Sequence, residues 1–133
     1  MIHFNDLIES MEATVEVLKE NPSAIEMMDN LILDMTRQSI GFSNRLTFLE
    51  GNPSALLLVE FFGDSLKEVE AKLDRLEKRM IRGKLGYFFR RLMSPKDQAN
   101  VWDVRKAGLG LLMGIKGDTK PLPFVEDTAV EPQ

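Results

Sequence analysis

The stretch A-L-L-L-V-E-F-F-G-D-S-L-K-E-V-E-A-K-L-D-R-L-E-K-R-M-I-R, residues 55–82, changes its apolar periodicity partway along. Its first eight residues are apolar apart from Glu60, a run of strand length that suits a strand well inside a sheet. Gly63-Asp64-Ser65 is a turn able to cap the next helix. Leu66, Val69, Leu73, Leu76 and Met80 then recur at three-four spacing between charges, as in an amphipathic helix. Such a stripe suits a helix lying on its own sheet; the alternative is a short coiled-coil seam that would make a homodimer.

Upstream, Asp6 and Glu9 stand in capping-box spacing. Leu7, Ile8, Met11, Val15 and Leu18 repeat at helical intervals until Asn21-Pro22 stops them. Residues 1–4 are too few for a strand alone, so this helix reads as entered partway through a fold. Residues 23–28 are expected to form a strand leading to Asp29, which can cap a second helix from Asn30 to about Arg37. A single helix over 23–37 fits nearly as well, because Ile25, Met28, Ile32 and Met35 also make a stripe. Residues 38–54, broken by Gly41, Gly51 and Asn52-Pro53, read as loop.

Downstream, residues 83–86 make a turn, and residues 87–93, Y-F-F-R-R-L-M, are a strand candidate. Ser94-Pro95 is a well-formed helix start. That helix is expected to reach about Ala107, since Gly108, Gly110, Gly114 and Gly117 weaken its continuation. Pro121 and Pro123 favour extended backbone, so residues 124–130 can be a strand with Phe124, Glu126, Thr128 and Val130 on one face. The interleaving predicts an α+β domain over residues 1–133, a mainly antiparallel sheet with helices packed on one face.

A chain of 133 residues can bury one real core and is short for two domains. Its formal net charge of -4, with both signs interspersed, argues against nucleic acid as a partner. Tyr87-Phe88-Phe89-Arg90-Arg91 is better explained as a half-buried strand with its charges outward than as a stacking platform. The absence of cysteine excludes a disulfide framework and thiol catalysis, and a lone histidine, His3, excludes a histidine-rich metal site. No apolar run approaches bilayer length and no secretory layout opens the chain, so the cytoplasm is the expected setting.

The candidate chemistry lies in V-W-D-V-R-K-A-G-L-G-L-L-M-G-I-K-G-D-T-K-P-L-P-F-V-E-D-T-A-V, residues 101–130. Trp102 and Arg105, three apart on a helix, point the same way. A planar guanidinium matches a carboxylate in bidentate fashion, so the pair can act as an anion clamp. The plainer readings are an Arg105 paired on the surface with Asp103 or Asp97, and a Trp102 that anchors the core. Glu126 and Asp127 face opposite ways on a strand and cannot form an acid-base pair; one of them can line a site. Arg105, Trp102 and Glu126 are the candidate site residues. Gly108, Gly110 and Gly114 come after a helix, the wrong context for a dinucleotide fingerprint.

The combination W-x-x-R-K-A-G-L-G-L-L with K-P-L-P-F-V-E-D-T-A-V-x-P resembles the C-terminal, substrate-side domain of FAD-linked oxidases of the glycolate oxidase and D-lactate dehydrogenase type. The resemblance extends through P-S-A-I-E-M-M-D at residues 22–29 and A-L-L-L-V-E-F-F-G-D at residues 55–64. It implies a ferredoxin-like cap domain, truncated at both ends, of an enzyme in which hydride leaves a small 2-hydroxy acid for FAD while Arg105 holds the carboxylate, and it makes Arg105, Trp102 and Glu126 the candidate substrate-binding residues. The partner implied is an N-terminal flavin-binding domain of the same parent chain, without which the piece is inert. Some related enzymes carry a lysine on the last strand. Here Val125 takes that place and Lys116 and Lys120 lie earlier, so the identity of the acid stays open. The family's histidine-bearing motif is not in the sequence. The alternative from another class is a free-standing α+β interaction or dimerisation module without enzymatic activity.

Overall fold

The computed structural model describes residues 1–114 and Gly117. The strand expected at 124–130, with Glu126 and Asp127, and the loop lysines Lys116 and Lys120 lie outside the described residues.

Strands β1 (Ile2–Phe4), β2 (Ala24–Asp29), β3 (Ala55–Glu60) and β4 (Phe88–Phe89) form one sheet in the order β2-β3-β1-β4, with every neighbouring pair antiparallel. Helix α1 (Leu7–Leu18) carries the chain from β1 to β2, and helix α3 (Leu66–Gly83) carries it from β3 to β4. Each crossover skips one strand, so two split β-α-β units interlock. This is the ferredoxin-like arrangement, and the α+β class and antiparallel sheet stand as expected. Helix α2 (Asn30–Gln38) and a 3-10 turn at Ser43–Arg45 replace a hairpin between β2 and β3, and α4 (Pro95–Met113) comes after β4.

The helices cover both faces of the sheet rather than one. Ile2, Phe4, Ala55, Leu57 and Val59 turn toward Ala13 and Val17 of α1 and Leu76 and Met80 of α3. Met1, Leu56 and Leu58 turn toward Leu33 of α2, Phe48, and Val101 and Val104 of α4. A strand buried on both sides reads as an unbroken apolar run, whereas one with a wet face alternates. The composition of β3 thus implies two layers of helix, which the one-face expectation overlooked.

Each long helix starts on its own cap. Asp6 accepts from the Glu9 N–H at 2.9 Å, Asp29 from Ile32 at 3.1 Å, Ser65 from Glu68 at 3.3 Å and Ser94 from Asp97 at 3.1 Å, each contributing about 1 kcal/mol. The Glu9 carboxylate accepts from the Gly86 N–H at 2.8 Å, which ties α1 to the turn before β4. Leu76 and Met80 are buried under α3, so the C-terminal part of its stripe lies on the sheet, while Leu66 at its start is exposed. β4 is two residues long rather than seven, because β1 offers it only Ile2 and His3 as ladder partners. Helix α4 continues past Ala107 to Met113: Gly108 is buried against Ile32 of α2, and this packing outweighs the roughly 1 kcal/mol that a helical glycine costs. Among the described residues no helix is long and apolar enough to cross a membrane.

Candidate functional site

Helix α4 buries Val101, Val104 and Gly108 and leaves Arg105 on the exposed flank one position beyond Val104. The β2–β3 register sets Glu26 opposite Leu58 and Met28 opposite Leu56, so Glu26 projects from the face that α4 covers. There its carboxylate accepts a hydrogen bond from Nε of Arg105. The two side chains are 27% and 50% exposed respectively, so the carboxylate is the more enclosed partner and the guanidinium reaches solvent. They border a hollow of about 440 Å³ whose other described walls are Met27, Met28, Ile32, Gly108, Leu109 and Leu112. The ion pair supplies its only charges among those residues. Neither helix neighbour expected as a partner takes that role: Asp103 pairs with Arg45, and Asp97 accepts from the Ser94 hydroxyl at 2.7 Å.

Trp102 is half-buried and packs against the second core. It borders a different hollow, of about 170 Å³, where the end of β3 and residues 90–93 diverge beneath Val69 and Leu73 of α3 and Gln98 of α4. The structure therefore places Trp102 and Arg105 beside separate concavities. Glu126 lies outside the described residues. The acidic residue next to Arg105 is Glu26, which sequence reasoning passed over although it sits inside the P-S-A-I-E-M-M-D motif.

His3 is fully buried, with Nε2 accepting from the Glu50 N–H at 3.3 Å and its ring edge-on to Tyr87 and Phe88. Burial is the main cause that lowers its pKa from 6.5 to about 4, so the imidazole is neutral. Arg91, in the aromatic and basic run, is bound by Asp74 and Glu77 of α3 at 2.7 Å each rather than offered to a polyanion.

The described residues do not fit a dinucleotide. The strand-to-helix turns among the described residues carry a single glycine, Gly63, and so offer no glycine-rich phosphate loop. A pyrophosphate needs free backbone N–H groups at such a turn. What the arrangement offers a small anion is a guanidinium already held at Nε by the Glu26 carboxylate, at the mouth of a hollow whose remaining described walls are apolar.

The family model for FAD linked oxidases, C-terminal domain, matches residues 1–133. The D-2-hydroxyglutarate dehydrogenase of Pantoea ananatis is 32% identical over 122 residues, an alignment covering 83% of this chain and 12% of the relative. That of Pseudomonas putida is 26% identical over 140 residues, covering 99% and 14%, and that of Escherichia coli 29% over 121 residues, covering 83% and 12%. The chain spans no more than 14% of the length of these curated relatives. With a family match that runs the full length of the sequence and a fold of the expected kind beneath it, this chain belongs to the FAD linked oxidases, C-terminal domain family.

Proposed function

We propose that this chain is the substrate-side part of an FAD-dependent oxidoreductase that oxidises a 2-hydroxy acid, with Arg105 gripping the acid's carboxylate. Membership of the family over all of residues 1–133 carries the reading. The half-exposed guanidinium beside an apolar hollow is the feature of the chain that suits it. FAD is assigned to a separate N-terminal domain of the same parent protein, because the described strand-to-helix turns offer no glycine-rich phosphate loop and the chain spans a small share of its relatives. Bound there, it supplies the redox chemistry. This chain supplies binding: a bidentate guanidinium fixes the acid in register and compensates its charge in a site partly closed to water.

Trp102 borders the separate 170 Å³ hollow and is left out of the proposed grip on the acid, while Glu126, outside the described residues, stays a proposed polar contact of the substrate. The substrate in the relatives' names, 2-hydroxyglutarate, is the first acid to try. A cytoplasmic setting and inactivity of the isolated piece belong to the same proposal. In the intact flavoprotein, Arg105→Ala is expected to lower kcat/KM for the preferred acid by about 3 kcal/mol, roughly a hundredfold, while the visible flavin spectrum is unchanged. Turnover that does not respond to the substitution removes Arg105 from the site.

A further inference from the structure

Arg105 is the residue on which the proposed function depends, and its orientation is set from elsewhere in the chain. A guanidinium can receive a carboxylate side-on, along Nε, or end-on, at its two terminal nitrogens. Glu26 engages Nε, and among the described residues neither terminal nitrogen has a hydrogen-bond partner. Among the described residues the outer fork is open while its stem is held.

We propose that Glu26 is a positioning residue for Arg105: its carboxylate fixes the guanidinium side-on so that the end-on fork faces the 440 Å³ hollow and receives a substrate carboxylate there. This rests on the reading of Arg105 as the carboxylate ligand. Three features support it. Glu26 is rooted in β2, whose six residues all pair with the central strand β3, so its origin is rigid where the long side chain of Arg105 is not. It is the better shielded of the two side chains, which strengthens its hold on a cation at the rim. The remaining described walls of the hollow are apolar, so no other charge there competes for the fork. The two motifs concerned, P-S-A-I-E-M-M-D and W-x-x-R, are joined by this contact between residues 79 apart in the chain.

Specificity arises from the same geometry. With the Nε edge occupied by a negative group, an incoming anion is repelled from side-on approach and admitted end-on, so Glu26 selects the pose as well as the charge.

The test uses the intact flavoprotein and two probes, a 2-hydroxy acid that it turns over and the same acid with every carboxylate methyl-esterified, which lacks the anion. Glu26→Gln is expected to raise KM for the acid about tenfold and to leave the ester within about twofold, so the preference for acid over ester falls about tenfold. Glu26→Asp, which keeps the charge on a shorter arm, is expected to restore part of that preference. Equal losses on acid and ester in Glu26→Gln would mean a merely structural role and overturn the proposal. So would an unchanged preference in Glu26→Gln when Arg105→Ala abolishes it, and that outcome would leave the reading of Arg105 standing. If Arg105→Ala itself leaves the preference unchanged, both fall. The pair is partly solvent-exposed, and such pairs contribute little to folding, so both variants are expected to melt close to the parent.

Discussion

At the scale of single residues, His3 links protonation to folding. Its imidazole titrates near 6.5 when free and at about 4 when enclosed. Between these values the unfolded chain takes up a proton that the folded chain refuses. The contribution of His3 to stability is therefore fully present above about pH 6.5 and is lost as pH falls toward 4, by up to about 3 kcal/mol. Urea unfolding at pH 7 and at pH 5 measures the slope. His3→Gln keeps a hydrogen-bond acceptor for Glu50 and is expected to flatten it; a slope that survives belongs to some other group. Neither His3 nor the partner of Arg105 was legible in the sequence in this role. His3 lies near the start of the chain, where its alternation with Ile2 and Phe4 is too short to register as a strand. Arg105 stands out through W-x-x-R, but no local spacing relates position 105 to position 26, whose side of the sheet is decided by the register of β2 on β3.

At the scale of elements, what depends on neighbouring residues was readable and what depends on packing was not. The caps at Asp6, Asp29, Ser65 and Ser94 come from side chains that reach backbone three residues ahead, so the starts of α1, α3 and α4 could be placed, while that of α2 stayed open against a single helix over 23–37. The end of α4 could not be, because the contact of Gly108 with Ile32 that sustains it is tertiary. Gly110 lies in the same extension, and a Cβ there would meet nothing within 4 Å. Gly110→Ala is accordingly expected to stabilise the fold by about 1 kcal/mol, a rise of about 3 °C in Tm. A fall in Tm would show that the bare backbone at 110 is needed. Gly86 is the opposite case: its φ is 75°, and a Cβ would lie 2.6 Å from Cγ2 of Ile2. Gly86→Ala should cost about 2 kcal/mol or more, and the same melting experiment reads it.

At the scale of the whole molecule, the sheet divides the apolar interior into two cores. Leu76 belongs to one and Val104 to the other. Leu76→Ala and Val104→Ala are each expected to cost about 2–4 kcal/mol, with the double variant additive to within about 0.5 kcal/mol. Denaturant titration of the three variants checks this, and a larger coupling would mean that the sheet transmits repacking from face to face. The α+β class was legible because period-two and period-three-four segments alternate along the chain. The number of helical layers was misjudged because the apolar run of residues 55–62 was taken to place β3 within the sheet, without its second buried face being traced to a second layer.

In the order β2-β3-β1-β4 no two strands from the same half of the chain touch: β3 separates β1 from β2, and β1 separates β3 from β4. A ribosome that has released only the first half has therefore made two strands with nothing to zip against. A single cut within residues 46–54 would leave two fragments, neither of which holds two described strands that pair with each other. Mixed together they should complement each other, since every ladder in the sheet joins one side of the cut to the other.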